Sequence, residues 1–84
     1  MTVQSILSER QAIYGDYAKV ARTSQSLKQV LELGDSWDSL PDVDRESIHM
    51  ICNKLARWVN GKPHPDTPLD IAGYATLAIP GDQR

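Results

Sequence analysis

An all-α fold, a compact antiparallel bundle of about four short helices, follows from three features of this 84-residue chain. Apolar residues recur at three-and-four spacing in separate segments. Cap-forming residues precede those segments, and glycine or proline follows them. The stretches between them are too short to be domain linkers, so residues 1–84 form a single helical domain.

Ser5 to Ile13 is expected to form the first helix, with Ile6, Leu7 and Ile13 as its apolar positions, and Tyr14-Gly15-Asp16 breaks the chain. Asp16 is a good N-cap for a second helix, in which Tyr17, Val20, Ala21, Leu27, Val30 and Leu31 share the helical spacing and Gly34 supplies the stop. Gly34 to Val43 is rich in turn formers and reads as a loop pinned by Trp37 and Leu40. Asp42 or Asp44 is expected to cap the third helix, where Glu46 favours the positive end. Ile48, Ile51, Cys52, Leu55 and Val59 form its stripe, ended by Asn60-Gly61. Lys62-Pro63-His64-Pro65-Asp66 is not helical, because proline fixes its own backbone and restricts its predecessor. Thr67 then serves as N-cap with Pro68 at the first position of a fourth helix, which runs to about Ile79. Gly73 inside that helix costs about 1 kcal/mol relative to alanine, which predicts close approach of another helix or a ligand.

Composition narrows the functional classes. With 40% hydrophobic and 24% charged residues the chain is ordinary globular material. A domain of this length has a marginal core, so assembly as a homo-oligomer is expected, with the short last helix as one possible contact. A net charge of -2 and no lysine-arginine run give no basis for binding nucleic acid. Cys52 is the only cysteine, which suits a reducing compartment and a packing role. No leader or segment of about 20 apolar residues stands out, so no membrane partner and a cytoplasmic location are expected.

The candidate binding residues are Tyr14, Asp16, Lys54, Arg57, Asp70 and Tyr74. Lys54 and Arg57 lie three apart on the third helix, where they either lay their stems over the core or bracket a phosphate near the start of the fourth. Lys19 and Arg22 repeat the pattern on the second helix, as a solvated face. Asp66 and Asp70 suit the start of the fourth helix through its dipole, or a divalent cation through their oxygens. Tyr14 and Tyr74 are core aromatics or stacking platforms for a base. His64 has no positioned carboxylate in the sequence to make it a base. No zinc spacing, glycine-rich phosphate loop or nucleophile signature is present, so no catalytic residue, metal ligand or cofactor is assigned.

Glu9-Arg10-Gln11, Tyr14-Gly15-Asp16-Tyr17-Ala18, Lys54-Leu55-Ala56-Arg57, Asp66-Thr67 and Asp70-Ile71-Ala72-Gly73-Tyr74-Ala75, in that order, span most of the chain. Together they resemble a family of small uncharacterised helical proteins encoded mainly by bacteriophages. More distantly, the layout is similar to nucleotide-modification-associated domains and to the all-α nucleoside triphosphate pyrophosphatases. The latter hold magnesium with Glu-x-x-Glu and Glu-x-x-Asp pairs. Here Glu9 is followed three residues on by Ala12, Glu46 by His49 and Asp70 by Gly73. The resemblance therefore implies a nucleotide-sized pocket without the metal cluster, with Lys54 and Arg57 for phosphates, Tyr14 or Tyr74 for a base, and Asp16 and Asp70 as acceptors.

The leading expectation is non-catalytic binding of a small nucleotide or nucleotide-derived ligand. In a phage setting this would be an immune-evasion sponge for a host messenger in the host cytoplasm. The alternatives are a magnesium-dependent hydrolase built on Glu46, Asp66 and Asp70, and a helical module that docks a host protein through Trp37 or Trp58.

Overall fold

The computed structural model describes residues 2–84, and among them every regular element is helical. The four main helices are α1 (Val3–Tyr14), α2 (Tyr17–Leu31), α3 (Asp42–Asn60) and α4 (Asp66–Leu77), with single 3₁₀ turns at Trp37–Ser39 and Gly81–Gln83.

Local chemistry explains most of the boundaries. The side chain of Asp16 accepts the Ala18 N–H at 3.0 Å, the expected cap of α2. α1 starts earlier than its apolar pattern suggested. The Thr2 hydroxyl accepts the Ser5 N–H, and the Thr2 N–H donates to Ser5 Oγ, a reciprocal box that makes Ser5 an interior residue. Neither Asp42 nor Asp44 caps α3; Pro41 occupies that position and both aspartates lie in the first turn, where the dipole favours them. Thr67 is likewise not the cap of α4. That helix begins at Asp66, whose N–H donates to His64 Nδ1 at 3.2 Å, and Thr67 is buried. Trp37 and Leu40 do pin the 34–43 loop: both are half-buried, and Arg45 from α3 donates to the carbonyls of Trp37 and Asp38.

α3 is the central element, packed extensively against α2 on one side and α4 on another. Both neighbours run antiparallel to it. Glu32 at the end of α2 meets His49 early in α3 at 3.0 Å, while Thr23 accepts from the Asn60 amide at the far end. Lys54 meets Asp70, while Tyr74 and Leu77 lie beside Val43 and Glu46. Among the described residues the buried ones are all small or medium-sized: Val20, Ser24, Ser47, Cys52, Ala56 and Thr67. Such side chains let helix axes approach closely, at the cost of apolar volume. Burial pushes the Cys52 thiol above its ordinary pKa.

Ser24 Oγ is buried without a hydrogen-bond partner. Ser24→Ala should raise stability by about 1 kcal/mol, because it removes a desolvated hydroxyl and leaves the packing volume nearly unchanged. Urea unfolding followed by circular dichroism measures the difference.

Among the described residues Gly73 has no neighbour where a Cβ would stand, so the close approach expected there does not occur within the chain. Among the described residues, no helix is long and apolar enough to cross a membrane.

Candidate functional site

A backbone crossing creates the main cleft. Where α1 ends at Gly15 and α3 ends at Gly61, the two strands of chain pass so closely that a Cβ on Gly15 would lie 2.3 Å from the Asn60 carbonyl oxygen. A Cβ on Gly61 would lie 2.6 Å from the Ile13 oxygen. The Lys62 N–H locks the crossing by donating to the Ile13 carbonyl at 3.0 Å. Gly15 adopts φ +88°, a conformation glycine enters without a steric penalty.

The crossing holds the C-terminal end of α1 against one side of α3. There the Arg57 guanidinium lies 4.8 Å from the centre of the Tyr14 ring, a cation–π contact, and the His64 ring sits 5.9 Å from Tyr14. α1, α2 and α3 enclose a cleft of about 420 Å³ whose polar lining comes from Arg10, Gln11, Asn53 and Arg57, with Tyr14 and Tyr17 as its aromatics. Among the described residues no carboxylate lines it. Among the described residues neither Arg10 nor Arg57 forms an ion pair, so both forks of N–H donors are uncommitted. The volume falls in the range of small-molecule sites.

Of the six residues singled out from sequence, the structure brings Tyr14 and Arg57 together. Asp16 caps α2 beside them, with its oxygen engaged by the Ala18 N–H. Lys54 turns away from Arg57 toward α4, where its ammonium contacts Asp70 at 3.1 Å. Tyr74 lines a separate shallow groove with Val43, Glu46 and Leu77. The residues that sequence reasoning passed over are Arg10, Gln11, Tyr17 and Asn53. Tyr17, assigned to the apolar face of α2, is in fact 82% exposed, because it occupies the first turn, at the mouth of the cleft. A signal for Arg10 and Gln11 existed in the Glu9-Arg10-Gln11 string preceding the glycine break. Asn53 had none, since only packing selects it from among the polar residues of α3.

The Lys54 side chain is only 14% exposed and that of Asp70 44% exposed, which makes the pair asymmetric. Asp70→Ala should cost about 1–2 kcal/mol by stranding a mostly buried ammonium, whereas Lys54→Met, which fills the same path with apolar atoms, should cost less than half as much. Thermal melts of the two variants and the double variant test the asymmetry.

Glu46, Asp66 and Asp70 do not converge. Among the described residues no group of three or more His, Cys, Asp or Glu side chains is placed to hold a metal ion. Asp70 is engaged by Lys54, and Asp66 lies 3.7 Å from His64.

No curated protein and no solved structure matches the chain. A family model does: the domain of unknown function DUF6378 matches residues 2–80, nearly the whole helical domain described above. The chain therefore belongs to the DUF6378 family.

Proposed function

We propose that the protein is a non-catalytic binder of a small nucleotide or nucleotide-derived ligand, held in the cleft between α1, α2 and α3. The observation that carries this is the pair of unpaired guanidinium groups, Arg10 and Arg57, facing a cleft that contains no carboxylate. Planar forks of this kind match phosphate oxygens in bidentate fashion, and a low-charge aromatic wall accepts a base. In this reading Tyr14 positions Arg57 by holding its guanidinium against the ring, and the exposed ring of Tyr17 offers the stacking surface. Gln11 and Asn53 supply amides that can read base or sugar edges. Lys54, Asp70 and Tyr74 hold α4 in place and lie outside the ligand's reach.

In a phage-encoded setting, the same cleft would sequester a host immune nucleotide messenger in the host cytoplasm. Self-association belongs to the same proposal, supported by a core in which, among the described residues, only Val20, Cys52 and Ala56 are buried hydrophobic residues.

The test is a thermal-shift screen against mononucleotides, dinucleotides, cyclic nucleotides and ADP-ribose derivatives, with magnesium and with EDTA, followed by chromatography of each hit. Ligand that binds the folded state raises Tm by mass action. Binding that persists in EDTA, with the ligand recovered intact, is the expected result. Recovery of cleaved ligand would make the protein a hydrolase, and no shift across the panel would move the function to a protein partner.

A further inference from the structure

Tyr14 gathers two cations around one ring. Arg10 lies one turn before it on α1, and side chains four apart on a helix are neighbours, with about 5–6 Å between their Cβ atoms. Arg57 reaches the same ring from α3, its guanidinium 4.8 Å from the ring centre. Both arginines line the cleft beside Tyr14, so both forks of donors serve one small anion seated there. Each fork has a neutral donor next to it: Gln11 follows Arg10, and Asn53 lies one turn before Arg57 on α3.

Among the described residues no carboxylate of the lining balances this charge. The Asp16 carboxylate accepts the Ala18 N–H at the start of α2, and Asp66 lies 3.7 Å from His64; neither lines the cleft. The occupant of the cleft therefore meets two positive charges at Tyr14, and the apolar side chains of Leu7 and Val20 elsewhere.

A phosphate monoester matches that arrangement in charge and in oxygens. It carries a charge of about -1.5 to -2 near pH 7 and offers three terminal oxygens. A phosphodiester, as in a cyclic nucleotide or between the halves of a dinucleotide, carries a single charge and offers two free oxygens. It leaves one cation uncompensated in a partly desolvated cleft, where an unpaired charge is costly. A triphosphate brings further negative charge that nothing in the lining meets. Size agrees: about 420 Å³ lies toward the lower end of the range for small-molecule sites, room for one nucleoside rather than two.

We infer that the cleft, given the nucleotide binding proposed above on which this rests, takes a nucleoside monophosphate in preference to cyclic or dinucleotide phosphodiesters. Its terminal phosphate is gripped between Arg10 and Arg57.

Calorimetric titration of the full chain in EDTA tests the preference, with the four ribonucleoside 5′-monophosphates and their 3′,5′-cyclic counterparts as probes. At about pH 8 the monoester is fully dianionic. At least one monophosphate should bind about tenfold or more tightly than the cyclic nucleotide with the same base, as one added charged hydrogen bond predicts. Arg10→Gln should shrink that ratio to about threefold or less, and Arg10→Lys, which keeps the charge, should retain the preference with weaker binding of both probes. Lys19→Gln removes a cation from an exposed position of α2 outside the cleft and should leave the ratio unchanged. Cyclic nucleotides that bind as tightly as the monophosphates, or a preference that survives Arg10→Gln, would overturn the monoester assignment and leave nucleotide binding standing. Binding confined to dinucleotides or ADP-ribose derivatives would do the same. A chain that binds none of these compounds would overturn the nucleotide function itself, and the monoester assignment with it.

Discussion

Gly15→Ala should lower the melting temperature by more than about 10 °C and undock α1 while leaving α2, α3 and α4 folded. Two independent penalties add at this position. The backbone sits at φ +88°, which is costly for a residue with a side chain. The new Cβ would also lie 2.3 Å from the Asn60 oxygen and 2.9 Å from its carbon, and both obstacles are backbone atoms that cannot rotate aside. Backbone strain and overpacking together amount to about 3 kcal/mol. A domain of this size loses about 4–8 °C per kcal/mol. α1 bears the loss because its contacts with α2 and α3 are sparse and the crossing is its main anchor. Amide hydrogen exchange should show α1 losing protection selectively. Gly73→Ala is the contrasting case: the space around it is open, so the change should stabilise by about 0.5–1 kcal/mol through helix propensity alone. Global unfolding by Gly15→Ala, with no difference between α1 and the other helices, would mean that the crossing is part of the main core.

Arg57→Ala should weaken ligand binding about 10- to 100-fold, with a fall in Tm of only a few degrees. The affinity effect follows from charged hydrogen bonds worth about 1.5–3 kcal/mol, at 1.4 kcal/mol per decade. The smaller stability effect follows from loss of one cation–π contact with Tyr14, about 0.5–1 kcal/mol at a partly exposed site. Arg57→Lys separates charge from shape. It keeps the cation but loses the planar fork and the stack on Tyr14, so it should recover only part of the affinity. Tyr14→Leu should then weaken binding through Arg57, with little added loss in the Arg57→Ala background, because a positioning residue has nothing left to position. Calorimetric titration of the wild-type chain and the four variants with the ligand found in the thermal screen reads all of these effects. Unchanged affinity in Arg57→Ala would remove the cleft from the binding reaction.

The two largest expected effects fall on residues whose importance was unequally visible in the sequence. Gly15 stood out as a break in Tyr14-Gly15-Asp16, but nothing in the string showed that its partner in the crossing is Gly61, which read only as the stop signal of α3. Lys54 and Arg57 looked like one basic pair because they are three residues apart. On a helix that spacing still separates the side chains by about 60°, and here it sends one to α4 and the other to Tyr14. The stripe of α3 was read correctly as apolar, yet Cys52 is 1% exposed and Val59 73%. Periodicity identifies a face without saying how many neighbours there are to cover it.

The sequence by itself determined the helical class, the number of helices and most of their limits. Caps, prolines and glycines act through hydrogen bonds and backbone sterics within about four residues, so Asp16, Gly61 and the prolines around His64 leave their mark wherever they occur. Only the tertiary structure decided that Tyr14 meets Arg57, that Lys54 meets Asp70, that Arg10, Tyr17 and Asn53 share a cleft, and that Leu55 and Trp58 remain uncovered. Those outcomes depend on how helices far apart in the chain cross. The crossing is fixed by the volumes and close approaches of Gly15, Gly61, Cys52 and Ala56 acting together, and no local pattern encodes it.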